Sequence, residues 1–382
     1  MLGALAVFVL LGIGYAAWWW LVGSHYESTD DAYVHGDLVQ VTPQISGTVI
    51  AIEAEDTETV KSGRTMVRLD PADADIALRQ AEARLAQIVR QTRTLYVQND
   101  ALQAEIDAQH AAVQRAQTDL ARAQTDLKRR QTLASSGGVS GEELLHARTA
   151  VKGAQSDVAQ AQAALASAKA KLATNTALTQ GTSIADHPDV RAASAALRSA
   201  WLDRSRTDLP APVDGVVAQR SVQVGQRVSP GTPLMTVVPL GQVWVEANFK
   251  EGQLRHMAIG QPATLRADMY GDDITYHGRI AGLDAGTGSA FALLPAQNAS
   301  GNWIKVVQRL PVRIALDPEE LKQHPLRVGL SMEVEIDVDP DEPVSAPAPR
   351  TAPLRSTQAF EAAQDQADAL IHKIISDNLA SP

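Results

Sequence analysis

Apolar residues recur with three different spacings along the chain, and each spacing predicts a different kind of element. Leu2–Val22 is an uncharged apolar run, about long enough to cross the hydrocarbon core of a membrane as one helix. Between residues 27 and 71, short apolar stretches are separated by Pro and Gly, as in small β-structures. The strands predicted there are Leu38–Val41, Thr48–Ile52 and Met66–Leu69. From residue 72 to about 209, apolar residues recur every seven positions, which is typical of a coiled coil.

The first helix of this coiled coil is predicted to begin at Asp70 and Pro71, which suit an N-cap and a first helical position. Its seam comprises Leu78, Ala81, Leu85, Ile88, Thr92, Leu95, Asn99, Leu102, Ile106, Gln109, Val113, Ala116, Leu120, Ala123 and Leu127. The three polar seam residues are interpreted as fixing the register of the helices rather than as binding a ligand. The pattern stops at Ser135–Gly138, so the helix is expected to end there.

A second helix is predicted after this stop, because Ser140 and Glu143 have the spacing of a capping box. Its seam comprises Leu144, Ala147, Val151, Ala154, Val158, Ala161, Leu165, Ala168 and Leu172. Since the loop is short, the two helices are expected to form an antiparallel hairpin with an arm of about 90 Å. The pattern is interrupted at Gly181–Pro188 and resumes to about Arg206.

The C-terminal part of the chain alternates between apolar and polar residues and predicts a small antiparallel barrel. The alternating stretches are 243–249 and 332–338, and Trp303–Leu316 is also β-rich. Pro340–Pro353 has the composition of a Pro-rich linker. Gln358–Leu379 is weakly amphipathic and predicts a tail helix.

An internal repeat links the two segments on either side of the hairpin. Four residues recur at an offset of 168, namely Gly47, Val60, Gly63 and Pro71 as Gly215, Val228, Gly231 and Pro239. Each copy is too short to bury a core alone, so we expect the two to form one sandwich. Each copy resembles half of a biotinyl or lipoyl carrier domain. The hairpin replaces the turn that would carry the modified lysine, and we therefore interpret the sandwich as structural.

These elements predict an α+β multidomain protein. It would have an N-terminal transmembrane helix, a split lipoyl-like β-sandwich with an inserted α-helical coiled-coil hairpin, and an antiparallel β-barrel. The predicted domains are 1–24 (transmembrane anchor), 25–71 (N-terminal barrel strand and first half-motif), 72–209 (hairpin, tip about 134–140), 210–239 (second half-motif), 240–339 (barrel) and 340–382 (linker and tail helix).

The apolar N-terminus is interpreted as a retained anchor rather than a cleaved signal peptide. Trp18, Trp19 and Trp20 lie at one end of it, where aromatic side chains favour the membrane–water interface. A signal peptide instead has a basic start and a cleavage site of small residues. The anchor predicts a single-pass membrane protein.

Charge and composition exclude several classes of function. The net charge is −10 without a basic cluster, which argues against nucleic-acid binding. The chain has no Cys, so it forms no disulfide and has no thiolate chemistry. The nine His have no metal-ligand spacing, and the Gly-rich loop at Gly286 lacks the rest of a phosphate-binding motif. We therefore predict no catalytic residue, no metal and no cofactor. The acidic pair Asp30–Asp31 is interpreted as a solvated turn near the membrane rather than a proton-coupling site.

Several stretches of the chain resemble one family. They are Thr29–Val34 (TDDAYV), Asn248–Glu251 (NFKE), Tyr270–Asp273 (YGDD) and Gly286–Ile314 (GTGSAFALLPAQNASGNWIKVVQRLPVRI). With the nested order of the domains, they make the region from about Glu27 to Val338 similar to the HlyD-type membrane fusion proteins, in particular the EmrA branch. The resemblance implies a periplasmic adaptor of a tripartite multidrug efflux pump.

The same resemblance implies the partners and a docking site. The adaptor would join an inner-membrane drug/proton antiporter of the major facilitator class to a TolC-like outer-membrane channel, and would self-associate. Related adaptors have an R-x3-L-x6-S motif at the hairpin tip, which occurs here as Arg129, Leu133 and Ser140. We expect these three residues to dock the channel. Ser140 could instead serve only as the helix cap, and Leu133 could close the seam.

Two other functions remain open at this stage. The same architecture could serve an ATP-driven (type I) secretion system, although the similarity to the EmrA branch argues against it. A carrier or transferase using the lipoyl-like sandwich is disfavoured, because the lysine that would carry the group is missing.

Overall fold

The computed structural model describes residues 25–135, 137–288, 290, 307–338, 355–360 and 362–380. These residues divide into two compact units, one from 25–70 and 206–360 and the other from 71–205 and 362–380. The predicted anchor Leu2–Val22 and the predicted linker Pro340–Pro353 lie outside the described residues. Within the described part of the chain, no helix is long and apolar enough to cross a membrane.

All the strands of the described residues lie in the first unit. They are β1 (Tyr26–His35), β2 (Val39–Val41), β3 (Gly47–Ile52), β4 (Thr59–Val60), β5 (Thr65–Leu69), β6 (Asp208–Pro210), β7 (Gly215–Arg220), β8 (Arg227–Val228), β9 (Met235–Val238), β10 (Trp244–Lys250), β11 (Pro262–Ala267), β12 (Thr275–Leu283), β13 (Arg309–Leu316) and β14 (Ser331–Asp337). The described part of the chain has the helices α1 (Ala72–Ala134), α2 (Gly141–Thr179), α3 (Pro188–Ser205), α4 (Pro318–Gln323) and α5 (Ala362–Ala380). Short 3-10 turns lie at Leu240–Gln242, Gln253–His256 and Gly271–Asp273.

Six strands close into the predicted antiparallel barrel in the order β1-β10-β13-β12-β11-β14. Alternate side chains of β10, namely Val245, Ala247 and Phe249, point into its core and are fully buried. Tyr276 of β12 is also fully buried, and its hydroxyl donates to the His324 carbonyl at 3.0 Å. Burial raises the pKa of Tyr276 to about 12, so the phenol remains a neutral donor.

Two four-stranded sheets form the sandwich, in the orders β2-β9-β7-β4 and β6-β5-β3-β8. Each sheet contains strands from both sequence repeats, so neither half could complete a sheet without the other. Their shared core includes Val49, Val60, Leu69, Val217 and Val228, which are all at most 2% exposed. The expected joining of the two half-motifs is therefore present in the strand order.

Asp30 and Asp31 lie within β1, so the expected turn is wrong for both, although Asp30 is exposed to solvent as expected. The Asp31 carboxylate is paired with Arg309 and accepts a hydrogen bond from Asn248 Nδ2 at 3.2 Å. Thr29 Oγ1 donates to the Asn248 carbonyl at 3.0 Å. These contacts connect β1 to β10 and β13. The polar residues in the stretches Thr29–Val34 and Asn248–Glu251, which carry the family resemblance, therefore help to hold the barrel strands together.

The second unit contains the hairpin, and α1 and α2 pack along the predicted seam. Leu85, Thr92, Ile106 and Val113 of α1 are buried, as are Ala147 and Ala168 of α2. Of the three polar seam residues, Asn99 is hydrogen-bonded across the helices. Asn175 Nδ2 donates to Asn99 Oδ1 at 2.9 Å, and Asn99 Nδ2 donates to Thr179 Oγ1 at 2.8 Å.

The ends of the hairpin differ slightly from the predictions. Pro71 occupies the N-cap position of α1, one residue later than predicted, because its carbonyl accepts the first helical hydrogen bond, from the Asp75 N–H at 2.8 Å. Helix α3 ends at Ser205. Asp208–Pro210 forms strand β6, so the helical segment ends before residue 209, where the sequence placed its end. The tail helix α5 packs against α1 and α3, a contact that the sequence did not predict.

The hairpin tip as candidate functional site

The turn between α1 and α2 is closed by backbone hydrogen bonds. Gly137 N–H donates to the Ala134 carbonyl at 3.1 Å and Gly138 N–H donates to the Leu133 carbonyl at 3.0 Å. This pair of bonds is the Schellman pattern, which needs a left-handed residue at the end of the helix. Gly137 has a φ of +83° and meets that need without a Cβ clash. The Gly-Gly sequence therefore ends α1 abruptly and reverses the chain.

The capping box predicted at the start of α2 is confirmed. The Glu143 N–H donates to Ser140 Oγ at 3.2 Å, and the Ser140 N–H donates to Glu143 Oε2 at 2.9 Å. These bonds from the Ser140 backbone and hydroxyl hold the pKa of the Glu143 carboxyl below its ordinary value. Ser140 thus has a structural role that needs no partner protein.

Arg129 and Leu133 are both exposed near the end of α1. They are four residues apart and therefore lie on the same side of the helix. The neighbouring Arg130 forms an ion pair with Asp126 at 2.9 Å, whereas Arg129 has no ion pair or hydrogen bond to any described residue. Leu133 has 45% of its surface exposed, so it does not close the seam. The structure leaves a cation and an apolar side chain available at the tip.

A fourth tip residue was missed by the sequence reasoning. Leu145, in the first turn of α2, is 62% exposed. Its signal was present in the sequence, because Leu144 and Leu145 are adjacent and only Leu144 fits the heptad. Leu133 and Leu145 give the two ends of the turn one exposed apolar side chain each.

The described residues contain no group of three or more His, Cys, Asp or Glu placed to bind a metal ion. The Gly-rich loop that begins at Gly286 continues into residues 291–306, which lie outside the described residues.

A barrel and a split sandwich interrupted by a helical hairpin are the architecture of the membrane fusion class. A family model described as the EMRA alpha-helical hairpin domain matches residues 72–207, the same segment that contains α1 to α3. The chain is 45% identical over 362 residues to the multidrug export protein EmrA of Escherichia coli strain K12, covering 94% of this chain and 89% of EmrA. Because a relative this similar spans most of both chains, the chain belongs to the EmrA branch of the HlyD-type membrane fusion proteins.

Another sequence relative agrees with this assignment. The fatty acid resistance protein FarA of Neisseria gonorrhoeae is 50% identical over 309 residues, covering 81% of this chain and 75% of FarA. The solved structure of the periplasmic adaptor protein EmrA aligns with 82% of this chain and 99% of its own, at 20% identity and a TM-score of 0.40. The superposition is loose, so the family assignment depends on the sequence relatives.

Proposed function

We propose that this protein is the periplasmic adaptor of a tripartite multidrug efflux pump. The observation that carries the proposal is its 45% identity, over 94% of its length, to a protein named for multidrug export. In this function the chain is a conduit and a connector, and it catalyses no reaction. Leu2–Val22 would hold it in the inner membrane, with the remainder in the periplasm.

The partners are inferred from two parts of the chain. The predicted anchor Leu2–Val22 precedes β1 in the sequence, so the barrel would meet an inner-membrane antiporter of the major facilitator class. The 63 residues of α1 give the hairpin a length of about 95 Å, at about 1.5 Å per residue. An arm of this length supports contact with a TolC-like channel of the outer membrane, and several copies would assemble side by side.

The tip would dock the channel through Arg129 and Leu133. An exposed cation with no ion pair or hydrogen bond to the described residues, one helical turn from an exposed apolar side chain, suits a polar contact beside an apolar one. Ser140 would act indirectly, because its capping box fixes the direction of α2 at the turn.

Charge reversal at Arg129 tests this docking. Arg129→Asp is expected to reduce drug resistance to that of cells lacking the protein and to abolish crosslinks from the tip to the channel. The matched control is Arg122→Asp on the same helix, because Arg122 is also exposed and its pair with Asp119, at 3.6 Å, contributes little energy. Equal resistance of the two variants at equal protein levels would exclude Arg129 from docking.

The inner-membrane partner needs a separate experiment. Crosslinking in native membranes followed by mass spectrometry is expected to recover a major facilitator antiporter. Recovery of an ATP-driven transporter would instead support the secretion function. Since FarA is named for fatty acid resistance, we expect the cargo to include apolar or amphiphilic acids, which sensitivity tests with fatty acids and drugs would check.

A further inference from the structure

The base of the hairpin has a three-helix core instead of the two-helix seam that the heptads predict. Leu85 and Val89 of α1 and Val190 and Leu197 of α3 are fully buried in this core. Val89 follows the seam residue Ile88 and lies beside the predicted seam rather than in it. It is buried in the same cluster as Ile371 and Ile375, which α5 contributes as a third helix.

The third helix packs where the returning arm of the hairpin is interrupted. α2 ends at Thr179, Gly181 takes a φ of +80°, and α3 begins only at Pro188, whereas α1 passes this level as one continuous helix. The helical hydrogen bonding of the returning arm does not continue through residues 180–187. The position of α3 against α1 therefore depends on side-chain packing, which α5 completes.

The tail helix has the chemistry of a ligand that binds in a groove. Ala367, Ile371 and Ile375 recur every four residues and are buried, while Ala369 and Ser376 are exposed on other faces. Polar contacts flank this apolar stripe. Asp368 is paired with Arg198 of α3, and Asn378 Oδ1 accepts a hydrogen bond from Arg90 Nη1 of α1 at 2.5 Å. An apolar stripe with flanking polar contacts is how an amphipathic helix is recognised by a groove.

Residues 338–361 connect α5 to β14, and they include five prolines, a composition typical of a linker. Within this stretch, Arg355 is paired with Asp37, and Thr357 Oγ1 donates to the Pro212 carbonyl at 2.6 Å. Residues 358–361 therefore lie between these contacts and α5. A tethered segment of this kind stays near its site at high effective concentration, yet can leave it without disrupting another element.

We propose that α1 and α3 form a binding groove for an amphipathic helix and that α5 is its intramolecular ligand. When α5 is bound, it locks α3 against α1 at the interruption of the hairpin. When α5 leaves, the groove becomes available to another amphipathic helix of the same chemistry.

Two double variants of the full-length protein test the proposal. Ile371→Asp with Ile375→Asp places two charges in the groove and is expected to release α5. Ala369→Asp with Ser376→Asp adds the same charge to exposed positions of the same helix and serves as the control. In hydrogen exchange, the release variant is expected to lose more than about tenfold of the protection at residues 85–89 and 190–197. Protection at residues 127–147, near the tip, is expected to match that of the control.

A labelled synthetic peptide of residues 362–380 tests whether α5 is a separable ligand of the groove or an integral part of the core. It is expected to bind the release variant, restore protection at the base, and bind neither the wild type nor the control, whose grooves are filled. Unchanged protection in the release variant would overturn the proposal. So would lost protection that the peptide does not restore, or equal binding of the peptide to all three proteins.

Discussion

The two halves of the sandwich, β2–β5 and β6–β9, share one backbone hydrogen-bond pattern but differ in the side chains that support it. Bonds in one half recur 168 residues away in the other: Thr57 N–H to Val217 O matches Gly225 N–H to Val49 O, and Gly63 N–H to Ala211 O matches Gly231 N–H to Pro43 O. The strand pairs follow the same rule, since Gly47 opposite Val228 matches Gly215 opposite Val60. The sandwich therefore has a two-fold pseudosymmetry in its backbone.

Three matched positions break this symmetry at the level of side chains. Gly47 and Gly215 differ in the space around them, Thr57 stands where the other half has Gly225, and Glu58 stands where it has Gln226. The same backbone hydrogen-bond pattern therefore forms with different side chains and different packing in the two halves. For each of these positions, the matched residue in the other half of the sandwich serves as a control.

The largest expected effect is at the paired glycines. A Cβ on Gly215 would lie 2.4 Å from the Val238 carbonyl oxygen, and backbone atoms cannot move away without breaking the sheet. A Cβ on Gly47 would meet only the Leu69 side chain, at 3.2 Å. We expect Gly215→Ala to cost about 3 kcal/mol or more and Gly47→Ala about 1 kcal/mol, the upper and lower ends of overpacking. Hydrogen exchange of β7 and β9 measures this difference, and equal costs would contradict the role of the backbone contact.

An intermediate effect is expected at the turns that contain Thr57 and Gly225. Thr57 has a φ of +72° and is the only residue other than glycine with positive φ among the described residues, whereas Gly225 has a φ of +84°. A β-branched residue is strained by about 1–2 kcal/mol in this conformation. Glycine removes the strain, but part of the gain is offset because glycine loses more chain entropy on folding. We expect Thr57→Gly to stabilise the sandwich by about 0.5–1 kcal/mol and Gly225→Thr to destabilise it by about 1 kcal/mol or more. Thermal unfolding and hydrogen exchange of the two turns check the opposite signs, and equal signs would refute the strain argument.

Local and periodic features of this fold were predictable, and contacts between distant segments were not. The capping box at Ser140 and the seam through Leu85 and Ile106 follow from short-range spacing, and the structure confirms them. The repeat predicted that the sandwich halves join, because each half leaves apolar residues without a partner. Burial of Val89 by α5 was not predictable, since nothing in the heptad indicates a helix that returns from nearly 300 residues later.

At the candidate site, the sequence located the tip but could not rank its residues. Three features depend on the geometry of the turn: Leu133 is exposed, Arg129 pairs with none of the described residues, and Ser140 is engaged in the cap. The pairing of Asp31 with Arg309 likewise joins residues that are far apart in the chain, and short-range patterns contain no information about it.

The smallest expected effect is a pH dependence confined to one half of the sandwich. The Glu58 carboxylate accepts the Glu55 N–H at 3.2 Å, and the Gln226 amide oxygen accepts the Gln223 N–H at 3.0 Å in the matching turn. Only Glu58 titrates, and its hydrogen bond from Arg64 and then that from Glu55 hold its pKa below the ordinary 4.5. The unfolded chain therefore binds the proton more tightly, so the stabilisation is complete above pH 4.5 and is lost as pH falls through the lower, folded pKa. We expect exchange protection of the Glu58 turn, relative to the Gln226 turn at the same pH, to fall across this window. Glu58→Gln should make the ratio independent of pH, and a ratio that still falls in this variant would assign the dependence to another group.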